Sequence, residues 1–97
     1  MSFEEIISEI IKNNFSKNDY FDSHSIINEL ISSKKYFQCY LENFSKGNSV
    51  AQYHGLIAQQ IEKTGLAEKV ITDNKEILLK THTIYGELSQ NHLWKRV

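Results

Sequence analysis

The sequence predicts an α+β fold, mostly helical, in which four helices are followed by a C-terminal β-hairpin. Three observations carry this expectation. Apolar residues recur at three- and four-residue spacing as far as Leu66. Beyond Leu66 the period changes, and β-branched and aromatic residues gather in short runs. No proline, internal repeat, low-complexity tract or flexible linker divides the chain, so residues 1–97 are expected to form a single domain.

In the first segment Phe3, Ile6, Ile7, Ile10 and Ile11 line one helix face, and Ser2 with Glu5 makes a capping-box pattern. The helix is therefore expected to start at Phe3 and to end near Asn14, in the turn formers "NNFSKND". Asp22 is the expected N-cap of the second helix, with Phe21 and Ile26 placed to pack across its first turn. Its core face is Ile26, Ile27, Leu30 and Ile31. A third helix carries the stripe Tyr36, Phe37, Tyr40, Leu41 and Phe44, expected to be core, and stops at Lys46-Gly47-Asn48. The fourth opens with a second capping box, Ser49 and Gln52, turns Val50, Tyr53, Ile57 and Ile61 inward, and closes with Gly65 at the C′ position.

The runs "KVIT", "EILLKTHTIY" and "HLWKRV" read as three strands, or as one short strand and a hairpin, separated by "DNK" and "GELSQN". With the last loop at residues 86–90, Tyr85 faces Asn91. One hairpin face then holds Ile84, His92, His82 and Trp94, and the other Thr83, Leu93, Thr81, Lys95, Leu79 and Val97; both are partly apolar, and either can be the buried one. Trp94 is either an anchor that pins the hairpin to the helices or an exposed binding residue beside Lys95 and Arg96. Its size favours the anchor.

A chain of 97 residues with 40% hydrophobic and 24% charged residues suits one soluble domain. At this size folding buries roughly two thirds of the unfolded surface. Cys39 is the single cysteine and is expected to be a buried, inert thiol, which fits a cytoplasmic location. The start "MSFEEIISEI" is acidic where a secretory leader is basic, and no apolar run reaches the roughly 18 residues of a membrane span. The net charge of −1 is unevenly spread: residues 1–32 are acidic and residues 33–97 mildly basic, with Arg96 the one arginine.

The order of elements resembles a winged helix-turn-helix domain, with an N-terminal helix (1–15) preceding a winged-helix-like core (22–97). The resemblance implies that helices 23–32, 34–45 and 50–64 form the trihelical core and that "ILLKTHTIYGELSQNHLWKRV" is the wing. It further implies a DNA-binding surface in which Gln52, Gln59 and Gln60 read bases, with Lys63, Lys80, Lys95 and Arg96 on phosphates. The shortage of arginine runs against a strong nucleic-acid binder.

No catalytic signature is present: no nucleophile elbow, phosphate loop or Cys/His pair, and no zinc spacing among His24, His54, His82 and His92. His82 and His92 alone are placed to approach one another on a hairpin face. The expectation is a non-catalytic binding module without cofactor, metal or small-molecule substrate. DNA is the leading ligand. The alternative is a cytosolic protein partner, as for an immunity or antitoxin protein, in which the acidic first third faces a basic toxin.

Overall fold

The computed structural model describes residues 2–43, 49–82 and 88–97. In chain order these form α1 (Phe3–Asn14), β1 (Tyr20–Asp22), α2 (Ser23–Ser32), α3 (Lys34–Glu42), α4 (Val50–Lys63), β2 (Ala67–Lys69), β3 (Ile71–Thr72), β4 (Lys75–Glu76), β5 (Leu78–His82) and β6 (Leu88–Arg96). The fold is α+β, as the change of period after Leu66 foretells.

Local signals place the helix starts. Ser2 Oγ accepts the Glu5 N–H at 3.2 Å, and Ile6, Ile7, Ile10 and Ile11 are buried. Asp22 Oδ1 accepts the Ser25 N–H at 2.9 Å, which opens α2, and Phe21 and Ile26 both lie in the core. At α4 both halves of the capping box form: Ser49 Oγ accepts the Gln52 N–H at 3.1 Å, and Gln52 Oε1 accepts the Ser49 N–H at 2.8 Å. Gly65 follows α4 with φ +70°, the left-handed conformation that ends helices and that a Cβ disfavours.

The core differs from expectation in three places. Of the α3 stripe only Tyr36 and Tyr40 are buried; Phe37 and Leu41 are exposed, at 39% and 50%, and Phe44 lies outside the described residues. Val50, expected inward, is exposed, and Cys39 is half-buried, its thiol pushed up by burial and by nearby Glu42. Helices α1, α2 and α4 contact one another, and α3 packs on α2 and, through Tyr40, against Tyr53 and His54 of α4. The four isoleucines of α1 share one cluster with Tyr36 and Tyr40 of α3, with Tyr53, Ile57 and Ile61 of α4 and with Trp94.

The sheet is built around β6. Its order is β1-β6-β2, with β5 also on β6, and all pairs are antiparallel. β2 and β5 lie along the same side of β6, at its C-terminal and N-terminal halves, and meet at Leu93. There the Val70 N–H donates to Leu93 O at 3.0 Å, the Leu93 N–H to Ile77 O at 3.2 Å, and the Ile77 N–H to Val70 O at 3.0 Å. The residues between Val70 and Ile77 leave this line as a small hairpin, β3-β4, turning on Asp73 and Asn74. Their φ values of 53° and 63° match a type I′ turn.

The β5-β6 register departs from expectation. His82 pairs with Leu88, and Leu79, not Tyr85, pairs with Asn91. Residues 88–90, expected in the loop, are strand; Thr83, Ile84 and Tyr85 lie outside the described residues. The buried face also changes along β6. Asn91 (8% exposed) and Trp94 (0%) are both buried although three residues apart, so each face is inward at one end of the strand. The anchor role of Trp94 is met: its Nε1–H donates to Ser23 Oγ at 2.8 Å, and its strand neighbour Phe21 stacks on Phe15 at 4.4 Å.

Gly55 is a helical residue that structure does not demand, since a Cβ built there meets nothing within 4 Å. Gly55→Ala is therefore expected to stabilise the fold by about 0.5 to 1 kcal/mol through backbone entropy. A urea melt checks this; a lower midpoint would mean that the open side of α4 is occupied in solution.

Candidate functional site

A cleft of about 570 Å³ opens between α4 and β6. Its floor is the start of α2, with His24 and Ile27. One wall is α4, from Val50 and His54 through Gly55 and Ala58 to Gln59 and Glu62. The other is the sheet, with Lys69 of β2 and Ser89 to His92 of β6. The walls stand where they do because Tyr53, Ile57 and Ile61 turn the opposite side of α4 into the core.

A buried polar network fixes the floor. Thr81 Oγ1 donates to Asp22 Oδ2 at 2.9 Å and accepts from Asn91 Nδ2 at 3.0 Å. His24 Nδ1 lies 2.6 Å from the same oxygen. Thr81 has one hydroxyl proton and Asp22 can only accept it, so His24 must donate from Nδ1. A neutral His24 ring therefore keeps Nε2 as an acceptor. The His24 backbone N–H is taken by Asn91 Oδ1 at 2.9 Å, and the Asn91 amide also donates to Leu79 O at 3.1 Å. Burial alone would raise the Asp22 carboxyl; the Ser25 and Thr81 hydrogen bonds outweigh it and hold the group below its ordinary value.

On the α4 wall, His54 Nε2 lies 3.0 Å from the Tyr40 hydroxyl. Burial, and secondarily His24, pushes the His54 ring below its usual pKa, which favours the neutral form. Toward the C-terminus of α4 a chain of charge runs along the rim: Lys69 Nζ is 3.9 Å from Glu62 and 3.3 Å from Glu76, and Glu76 is 2.8 Å from His92 Nε2. The His92 hydrogen bond, followed by Lys69, holds the Glu76 carboxyl low. Lys69 also stands 5.9 Å above the Trp94 ring.

The residues implied for DNA contact do not gather here. Of the seven, Gln59 lines the cleft, but Gln52, Gln60 and Lys63 do not. The Gln52 carbonyl is engaged in the capping box. Lys80 is exposed on β5, opposite Gln90. Lys95 and Arg96 belong to the far end of β6, where Lys95 lies between Tyr20 and Glu68. The Arg96 Nη1 donates to the Val97 carbonyl, and its Nε is buried and meets no hydrogen-bond partner among the described residues. His82 and His92, expected to approach, are opposite Leu88 and Leu78, at the two ends of the β5-β6 ladder.

Among the described residues no group of three or more His, Cys, Asp and Glu stands as a metal site, and no helix is long and apolar enough to cross a membrane. The polar residues that line the cleft, among them His24, His54, Lys69 and Asn91, come from four different elements, and Thr81 of β5 supports them from outside the lining. Comparison with protein-family models, with curated proteins and with solved structures finds no match for this chain.

Proposed function

We propose that the protein is a non-catalytic binding module of winged-helix-like build, and that its ligand is another protein. The observation that carries this reading is the surface of the helical layer. Phe37 and Leu41 of α3 and Val50 and Leu56 of α4 are large apolar side chains that are 38% to 50% exposed. Side chains of this kind cost solubility when bare and gain when covered. The acidic first turn of α1, with Glu4 and Glu5, favours a basic partner, such as the toxin of an immunity pair.

Duplex DNA is the second reading, and one observation favours it. Helix α4 feeds directly into β2, and the strand order β1-β6-β2 with a β5-β6 hairpin supports likeness to a winged helix. Against it stands the scatter of the cations on α4, β5 and the far end of β6.

The test is titration of labelled random-sequence duplex DNA at about 50 and 200 mM salt. Protein recognition leaves both titrations blank. Binding that collapses by orders of magnitude between the two salts, as counterion release requires, and that loses sequence preference in Gln59→Ala with Gln60→Ala, would replace the protein reading with the DNA one.

A further inference from the structure

One polar atom of the cleft floor is left open. His24 is 7% exposed, and its Nδ1–H is committed to Thr81 Oγ1, itself tied to Asp22. The side-chain amide of Asn91 is already engaged: Oδ1 takes the His24 N–H, and Nδ2 donates to Leu79 O and Thr81 Oγ1. His24 Nε2 meets no hydrogen-bond partner among the described residues, yet, unlike Arg96 Nε, it is not sealed from solvent. The surface that His24 lines is the cleft. A neutral ring held in this tautomer therefore shows the cleft a lone pair and no proton. The rest of the lining is partly apolar and balanced in charge. Ile27, Val50 and Ala58 supply apolar surface, and at Gly55 a Cβ would meet nothing within 4 Å. Glu62 and Lys69 lie 3.9 Å apart, His92 is taken up by Glu76, and burial favours the neutral form of His54. A charged ligand would lose hydration here without finding an opposite charge of its own. Size sets a further limit: a cavity of about 150 Å³ holds benzene, so one of about 570 Å³ has room for more than one ring.

We propose that the cleft is a small-molecule site for an uncharged, fused-ring organic compound, whose O–H or N–H donates to His24 Nε2 and whose apolar body lies beside Gly55 against Ile27, Val50 and Ala58. This goes beyond the protein-binding reading and does not rest on it; of the residues named for the two, only Val50 is shared. It departs from the sequence expectation of a module that takes no small molecule. Specificity comes from the buried floor. The hydrogen bonds from Asp22 through Thr81 to His24 fix which ring nitrogen faces the ligand, so a compound with a donor is accepted. Its methyl ether or N-methyl analogue leaves the buried acceptor unmet and is refused.

The experiment is an NMR titration of the full chain, its histidine ring nitrogens isotopically labelled, against matched pairs of probes: 2-naphthol with 2-methoxynaphthalene, and indole with 1-methylindole. At least one donor compound should bind with a Kd below about 1 mM, and at least tenfold more tightly than its methylated counterpart. Saturation should move the Nε2 signal of His24 while Nδ1 keeps its proton. Gly55→Leu places a side chain in the cleft from a position where a Cβ clashes with nothing. It should weaken binding at least tenfold with no fall in the melting midpoint. Equal affinity within each pair means that His24 Nε2 is not the acceptor and overturns the proposal. So does a free protein whose neutral His24 ring carries its proton on Nε2. Full affinity in Gly55→Leu puts the compounds elsewhere on the surface, and tighter binding of 2-naphthoate than of 2-naphthol contradicts an uncharged ligand; either result overturns it. Failure of all the donor compounds to bind at about 1 mM overturns it too. Each of these outcomes leaves the protein-binding reading standing, since the DNA titration tests that separately.

Discussion

Trp94→Ala is expected to be the most damaging single substitution in the chain, lowering stability by about 3 to 5 kcal/mol. The indole is fully buried, sits opposite Phe21 of β1 and Lys69 of β2, and donates to Ser23 at the start of α2. Its removal leaves a cavity where sheet and helices join and an orphaned Ser23 hydroxyl in a buried place. A urea melt by far-ultraviolet circular dichroism reads the loss. Wild-type Trp fluorescence should be blue-shifted and resistant to iodide or acrylamide. A midpoint within about 1 kcal/mol of wild type would contradict the packing described for β6.

Asp22→Ala follows, with an expected cost of about 2 to 4 kcal/mol, because one carboxylate both caps α2 and accepts from Thr81. The effect should depend on pH in a defined direction. Burial alone would raise the carboxyl, but the hydrogen bonds from Ser25 and Thr81 hold the folded-state pKa of Asp22 below the ordinary aspartate value. Its contribution is therefore complete above about pH 4 and is lost as pH falls through the folded value. Wild type should lose stability faster than Asp22→Ala as pH drops from about 5 to 2, so that the two curves converge in acid. Asp22→Asn should keep much of the cap, since Asn is a good N-cap, but flatten the acid limb. Parallel curves for wild type and Asp22→Ala would show that the carboxylate charge is not used.

How much of this was legible in the sequence depended on how local each signal is. Capping at Ser2, Asp22 and Ser49 needs a contact three residues away, and all three were foreseen at the right residue. Gly65 is equally local. The strand β1 was not foreseen, because three residues carry no period and Tyr20 to Asp22 is a strand only through its pairing with β6. The β5-β6 register was misplaced for a related reason: "GELSQN" has turn composition, yet Leu88 to Gln90 find extended partners in Lys80 to His82. The α3 stripe was read as wholly core because aromatic spacing shows which residues share a face, not how wide that face is; Tyr36 reaches Glu9 of α1 and Tyr40 packs against Tyr53 and His54 of α4, while Phe37 and Leu41 stay bare. The cleft was the least legible feature. His24 and Thr81 are 57 positions apart, and His24 and Asn91 are 67, so no spacing motif joins them.

Every strand of the larger sheet depends on the same neighbour. β1, β2 and β5 pair with β6 and not with one another in that sheet. The pairing of Tyr20 with Lys95 closes a loop across most of the chain, whereas β5 and β6 are joined through a short connection. Loop closure costs entropy before the ladder returns anything, so β5-β6 is the cheap pairing and β1-β6 the expensive one. The helices and the β5-β6 hairpin are therefore expected to form before the β1-β6-β2 junction, where Trp94 meets Ser23.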